Sequence, residues 1–250
     1  MFINLKTKIE AIPSVGLSQL DSVSLLNRMD SKYVVTLSQL DFIFECLQSN
    51  YSILEINGIK VFTYENNYFD TPDLMFYKDH HNGYMNRLKV RSRRYVESNL
   101  CFFEIKKKEK INRTNKYRES TSDFITSVNP ERTQVIQNFT RKSVKEVNLI
   151  LNNNFSRITL VNKNFTERVT IDCNLSFMDG KSVINFNDVA IIEVKQSKSS
   201  QSSELTSFLK THHIREQSIS KYIYGVVLLR PEIKKNNFLP ILKKINSLNN

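Results

Sequence analysis

At 250 residues and 40% hydrophobic content, with 16 Phe and 10 Tyr, the chain can bury a sizeable core, while only 5 Gly and no Trp argue against repeats and a glycine-rich phosphate loop. Its net charge of +11, from 36 basic and 25 acidic residues, favours an anionic partner. The charge is concentrated: Met85 to Arg118 holds twelve Lys or Arg against three Glu, +9 of the total.

Residues 18–29 read as a short amphipathic helix leading into a strand at Asp30–Val35. Ser38 is expected to cap a helix over Gln39–Ser49, where Leu40, Ile43, Phe44 and Leu47 share one face. Strands are predicted at Ile53–Glu55, Val61–Phe69, Gly83–Tyr95, Leu100–Lys107 and Asn115–Glu119. Ser122–Asn153, with Asn129-Pro130 as a start signal, reads as a helical insertion. Strands resume at Ser156–Lys163, Thr166–Cys173 and Asp188–Lys195, and helices follow at Ser203–Thr211 and after Ile219, interrupted by Pro231 and Pro240. No Pro/Gly/Ser-rich linker divides the chain, so one domain over 1–250 is expected, ending in a helical tail at 227–250. The predicted class is α+β: an eight-stranded antiparallel β tunnel, closed or nearly closed, with peripheral helices and a helical insertion.

Several strands carry charge at every second position. Arg28, Asp30 and Lys32 share a face, as do Lys89, Arg91 and Arg93; so do Glu104 and Lys106, and Glu193 and Lys195. One such face is ordinary on a solvated sheet. Several in matching register imply that the charges converge, and a cavity walled by guanidinium and ammonium groups is a polyphosphate site. Alternate residues lie about 7 Å apart, so Lys89, Arg91 and Arg93 can follow an extended anion. Lys116 and Arg118 face the same way on the next strand and are candidate additional contacts.

The order of these segments carries a resemblance. Arg28-Met29-Asp30-Ser31-Lys32-Tyr33 is followed by Asn67-Tyr68-Phe69-Asp70-Thr71-Pro72, Lys89-Val90-Arg91-Ser92-Arg93-Arg94-Tyr95 and Phe103-Glu104-Ile105-Lys106. Then come Arg168-Val169-Thr170-Ile171-Asp172, Glu193-Val194-Lys195 and Ser218-Ile219-Ser220-Lys221-Tyr222. Over about residues 20–226 the chain resembles the VTC (vacuolar transporter chaperone) family of polyphosphate polymerase domains, in the CYTH-like triphosphate tunnel metalloenzyme superfamily. The resemblance implies a tunnel that holds ATP, triphosphate or polyphosphate along its axis. It implies phosphate binding by Lys32, Arg91, Arg93, Lys106, Arg168, Lys195 and Lys221, with Ser220 helping Lys221. It implies Mg²⁺ or Mn²⁺ on Glu193, with Glu104 and Asp30 behind it. The family has an arginine in a Tyr-x-Arg-like segment shortly before Arg168. Lys163 is read in that place, which keeps charge but loses the bidentate fork.

The implied reaction is transfer of the γ-phosphate of ATP to a growing polyphosphate chain. If water attacks instead, the same site is a triphosphatase acting on inorganic, nucleoside or thiamine triphosphate. A non-catalytic polyanion binder is a third reading. Nucleic acid is not expected, because the cations share strands with Glu and basic residues are not interleaved with aromatics on an open face. Tyr68 to Pro72 read as structural, His80-His81 and His212-His213 as exposed loop residues, and Lys107, Lys108, Lys110 and Arg113 as a turn and its flanks. Cys46, Cys101 and Cys173 are far apart, without CxxC spacing, which excludes a disulfide framework or zinc centre and fits a reducing compartment. The first residues show no apolar stretch with a cleavage site, and the longest apolar run, Tyr222–Leu229, is far short of a membrane span. A soluble cytoplasmic protein is expected, with docking to a membrane-protein partner left open.

Overall fold

The computed structural model describes residues 2–21, 28–110, 113–140, 142–197 and 203–248. The elements begin with α1 (Phe2–Ala11), β1 (Ser14–Val15), α2 (Leu17–Asp21), β2 (Arg28–Thr36), α3 (Leu37–Asn50), β3 (Tyr51–Leu54), β4 (Val61–Asp70) and α4 (Met75–His81). There follow β5 (Arg87–Tyr95), β6 (Leu100–Lys110), β7 (Arg113–Thr121), α5 (Pro130–Thr140), β8 (Asn148–Asn162), β9 (Glu167–Met178) and β10 (Val183–Phe186). The chain continues through β11 (Val189–Ser197), α6 (Glu204–Thr211), α7 (Lys221–Leu229) and α8 (Leu239–Leu248).

Eleven strands form one sheet whose main path runs β2-β11-β9-β8-β4-β5-β6-β7. Every neighbour on that path is antiparallel, while the short β1 pairs parallel with β3 at its side. The α+β class and the eight-strand path agree with the sequence reading. Closure does not: β2 and β7 are the ends of the path, and no ladder joins them among the described residues. Both edges carry inward cations, Lys32 on β2 and Lys116 with Arg118 on β7, and zipping them together would oppose like charges.

The capping box sits earlier than the sequence implies. Thr36, not Ser38, accepts from the Gln39 backbone N–H while the Gln39 side chain returns to Thr36 N, starting α3 at Leu37. Leu40, Ile43, Phe44 and Leu47 of α3 then pack with Val35, Ile158, Val169, Ile171 and Ile192 from the outer face of the sheet. Each fully buried side chain of this kind contributes about 1.5–3 kcal/mol. The outer faces of β5 and β6 pack Leu88, Val90, Phe103 and Ile105 with Phe76 of α4 and Ile136 of α5.

Two segments differ from expectation. Only Pro130–Thr140 of the predicted helical insertion is helix, and Asn148 onward is strand β8. The predicted helix over 18–29 is helical at Leu17–Asp21, while residues 22–27 lie outside the described residues. His80 and His81 are not in an exposed loop. They end α4, where His80 Nε2 meets the Leu88 carbonyl at 2.9 Å and His81 is buried beside Tyr77 and Phe238.

One helix enters the concave side of the sheet. α7 and α8 pack Tyr222, Ile223, Val226 and Leu242 against Val34, Tyr68, Leu151, Phe177 and Ile191. Gly225 permits the approach, because a Cβ there would stand 2.8 Å from both Leu151 and Phe177. A buried carboxylate ties α7 down: Asp70 accepts backbone N–H groups of Thr71, Phe76 and Tyr77 at 2.7, 2.8 and 2.9 Å, and the Tyr222 hydroxyl also donates to it. Asp70→Ala strands three buried N–H groups and a hydroxyl. It is expected to cost about 3 kcal/mol or more, read as a lower urea midpoint at unchanged slope.

Candidate functional site

The ladders set all the charged alternations on the concave face. Opposite Glu193 of β11 stand Lys32 of β2 and Thr170 of β9, and opposite Lys195 stand Asp30 and Arg168. Asp172 of β9 pairs in register with Arg157 of β8. Across β4 the same face carries Tyr64, Asn66 and Tyr68, which meet Tyr95, Arg93 and Arg91 of β5. Lys89 and Arg91 then meet Lys106 and Glu104 of β6, and these meet Lys116 and Arg118 of β7.

The sheet curls enough for distant strands to sense each other. Beyond the effect of burial, Lys32 on β2 depresses the pKa of Lys89 on β5, five strands away along the path, and Glu193 on β11 is felt by Lys106 on β6. The segment before α7 crosses this space. Gln217 N–H donates to the Lys32 carbonyl at 2.7 Å, Lys89 Nζ donates to Ser220 Oγ at 2.7 Å, and Lys221 donates to Asp172. Ser220 makes no side-chain cap to α7, so its hydroxyl serves Lys89 instead.

Carboxylates organise most of the cations. Asp172 is nearly inaccessible and takes Arg157 Nε at 2.6 Å and NH2 at 2.8 Å besides Lys221. Burial would raise its carboxyl, but Arg157 and Lys221 hold it down at about 2. Glu193 bridges Lys32 at 3.0 Å and Lys195 at 2.5 Å, and against burial these two keep it well below the usual carboxylate range. Glu104 takes Arg91 at 2.7 Å and Arg118 at 3.6 Å, and despite burial Arg91 and Arg93 hold it at about 2.

Other cations have neutral partners. Arg93 Nε donates to the Asn66 side-chain oxygen at 2.8 Å, and Asn66 itself is fully buried. Lys89 has Ser220. Burial, and then Lys32, Arg91 and Arg87, push its ammonium down to about 7. Lys106 is lowered well below its ordinary value by burial, Arg91 and Lys116. Burial also lowers Lys195 and Lys221, although Glu193 and Asp172 oppose it.

Lys32, Lys89, Arg91, Arg93, Lys106, Lys195, Lys221, Glu104 and Glu193 are thus brought to the inner face of the curled sheet, with Lys116, Arg118 and Asp30 on its edge strands. Arg168 shares the face, but its guanidinium donates to the Leu20 carbonyl at 2.7 Å, toward α2. Lys163 lies elsewhere, exposed in the β8–β9 turn, where its backbone N–H meets the Asn50 carbonyl. Phe155-Ser156-Arg157, six residues earlier, has the same aromatic-x-Arg form, and it brings Arg157 to the inner face opposite Asp172. The sequence signal for it was an arginine one ladder step from Asp172. Lys107 is not part of an exposed turn: it is buried on the outer face, 3.5 Å from Glu109.

A curled antiparallel sheet with its cations on the inner face and a carboxy-terminal helix packed into it defines a tunnel-like fold. A family model described as the VTC domain matches residues 27–230, and the chain belongs to that family. Among solved structures, a Bacillus halodurans protein named as an adenylate cyclase superposes with a TM-score of 0.51 at 13% identity, over 79% of this chain and 96% of that one. This likeness is one of fold. A Hippeastrum protein, named as an adenylyl cyclase with a dominant triphosphatase activity, gives 0.44 at 14% identity over 82% and 98%. One from Vibrio parahaemolyticus, also named as an adenylate cyclase, gives 0.47 at 10% over 78% and 95%. No curated protein matches the sequence. Among the described residues, no helix is long and apolar enough to cross a membrane.

The depressed lysine gives a pH signature. The ammonium form of Lys89 attracts phosphate, and a bound polyanion raises its pKa back above about 7. Triphosphate binding near pH 8 should therefore draw protons onto the protein, and affinity should fall as pH rises through 7. Calorimetry in two buffers of different ionisation enthalpy should show a smaller uptake for Lys89→Gln than for the wild type.

Proposed function

We propose that the protein is a metal-dependent phosphotransferase that holds a triphosphate donor in the curled sheet and passes its terminal phosphoryl group to a polyphosphate chain. The observation that supports this reading most is the set of eight inward cations, Lys32, Lys89, Arg91, Arg93, Lys106, Arg157, Lys195 and Lys221, around one cavity. Arg91 and Arg157 are oriented by Glu104 and Asp172. Phosphoryl transfer needs little covalent help from the protein, so positioning and charge stabilisation are what such a wall can supply.

The donor set fits a divalent ion that arrives with the phosphates. Among the described residues, no group of three or more His, Cys, Asp or Glu could hold a metal by itself. Mg²⁺ is commonly held by one or two carboxylates together with substrate phosphates. Glu193 is the carboxylate placed for it, with Glu104 and Asp30 on the same face. Bound there, Mg²⁺ or Mn²⁺ would neutralise charge developing on the transferred group. Lys32 and Lys195 hold Glu193 ionised and are free to turn to phosphate when it takes a metal.

The second reading is a triphosphatase, which the same wall would support with water as the acceptor. Phosphorus NMR of the chain with ATP and Mn²⁺ separates the two. Growth of an internal polyphosphate signal with ADP supports the polymerase, orthophosphate alone the hydrolase, and neither product rejects both. Glu193→Gln should cut turnover at least about a hundredfold while leaving triphosphate-induced thermal stabilisation in place. Full activity in that variant would place the metal elsewhere.

A further inference from the structure

Ser220 is the N-cap of α7, yet its side chain makes no cap bond. Its Oγ instead lies 2.7 Å from Lys89 Nζ on β5, a residue 131 positions away in sequence, so the contact is made by the fold. The segment around it is held on both sides, by Gln217 N–H on the Lys32 carbonyl and by the Tyr222 hydroxyl on Asp70. Ser220 is half-buried rather than enclosed, and its hydroxyl is bonded to a side chain of the inner face.

Lys89 has the surroundings of a base. Arg87 and Arg91 flank it on its own strand, and Lys106 stands opposite on β6. Burial, and then Lys32, Arg91 and Arg87, bring its ammonium down to about 7, while Glu193 opposes them. Burial and then Lys89 keep the neighbouring His80 of α4 neutral, so that ring adds no further cation. As an ammonium, Lys89 donates to Ser220 Oγ; as an amine, it accepts the Ser220 proton. The anion of a bound donor raises the lysine again, leaving a smaller fraction of amine that is a stronger base. A serine hydroxyl is a weak nucleophile until a base within hydrogen-bond reach takes its proton. Serine–lysine pairs perform this task on unrelated folds.

We propose that Ser220 is a nucleophile, with Lys89 as its general base, and that it takes the terminal phosphoryl group of the triphosphate donor to form a phosphoserine. The inference rests on the phosphoryl-transfer reading and adds a covalent acceptor to it. A bond forms between Ser220 Oγ and the terminal phosphorus, and the bond from that phosphorus to its bridging oxygen breaks. The diphosphate portion leaves with the electron pair, and the hydroxyl proton passes to Lys89 Nζ. The surroundings favour the product. Lys89 ends the step as an ammonium beside the new phosphate, which sits at the amino end of α7, where the first backbone N–H groups lack intrahelical partners. Where no polyphosphate is present, the phosphoserine supplies the first phosphate terminus that a second transfer can extend.

The test uses the full chain, freed of phosphate and polyphosphate, with γ-phosphate-labelled ATP and Mn²⁺, quenched in acid from the first turnover onward. Phosphoserine survives acid, whereas phosphate on a lysine or histidine nitrogen does not, and peptide mass spectrometry maps the label that remains. Label on Ser220 is expected in the wild type and, more slowly, in Ser220→Thr, with none in Ser220→Ala. Lys89→Arg keeps a cation beside Ser220 and removes the base; it should slow labelling at least about a hundredfold. Labelling at the wild-type rate in that variant overturns the role of Lys89. No acid-stable label in the wild type, or label that persists in Ser220→Ala, overturns the nucleophile. Polyphosphate or orthophosphate formed without label overturns the nucleophile alone. A chain that neither labels nor turns over, and that triphosphate does not stabilise, loses the phosphoryl-transfer reading as well.

Discussion

Repulsion among like charges on a concave surface is the constraint to which the rest of this structure answers. Cations from β2, β5, β6, β8, β11 and α7 face one cavity, and in a medium of reduced dielectric their mutual energy would open the sheet. Three carboxylates, Asp172 buried and Glu104 and Glu193 partly buried, oppose it. Asp172 serves Arg157 and Lys221, Glu193 serves Lys32 and Lys195, and Glu104 serves Arg91 and Arg118. Two of these pairings join elements that are not sheet neighbours or lie across a hairpin: Asp172 ties α7 to β9, and Glu104 ties β7 and β5 to β6. The charge that makes the cavity attractive to a polyanion is therefore also part of what fixes its walls, and breaking one such buried pair would cost several kcal/mol.

The helix that enters the cavity is held by a second, apolar logic. α7 needs a glycine at the crossing with Leu151 and Phe177 and a carboxylate, Asp70, to receive Tyr222. Asp70 also starts α4 by accepting the first backbone N–H groups of that helix, so one side chain fixes two helices against β4. The structural reading of the Tyr68 to Pro72 segment has its reason here. Once Tyr222 is fixed, its chain neighbours Lys221 and Ser220 fall on Asp172 and Lys89, which is how a residue near the end of the chain joins strands in the middle.

The alternating charge was legible because a strand repeats every two residues, and where the ladders are regular the sequence spacing and the inner face agree. The first half of β8, Asn148 to Phe155, was not legible for the same reason, although Ser156–Lys163 was read as strand. Its register shifts against β4 between Tyr68 and Phe69, and against β9 between Asn154 and Ser156. The stretch also runs Leu149-Ile150-Leu151-Asn152-Asn153-Asn154, with apolar and polar residues in blocks. With the period broken and few β-branched residues, it mimics a helix in sequence. Arg157 lies just beyond that irregularity, inside the predicted strand Ser156–Lys163, but with no charged alternation around it its face was not read, and Lys163, a turn residue, stood in for it. Arg168 failed differently: its face was read correctly, but the carbonyl of Leu20 that receives it comes from a helix 148 residues away in sequence, which strand spacing cannot reveal.

The partners of the cations also distribute charge along the cavity. Arg91, Arg157, Lys32, Lys195 and Lys221 each face a carboxylate that a second cation shares, so their positive charge is partly offset before any ligand arrives. Arg93 faces the amide of Asn66, and Lys89 faces the hydroxyl of Ser220; each partner orients its cation without cancelling it. The cations that form no ion pair among the described residues therefore include both ends of the Lys89-Arg91-Arg93 row on β5 and Lys106 on β6, and an aspartate at position 66 would offset the charge of Arg93. A flexible anion is drawn to the place where charge is least balanced. Amide and hydroxyl partners thus leave more net charge on β5, while on the opposite wall Glu193 offsets part of the charge of its two lysines.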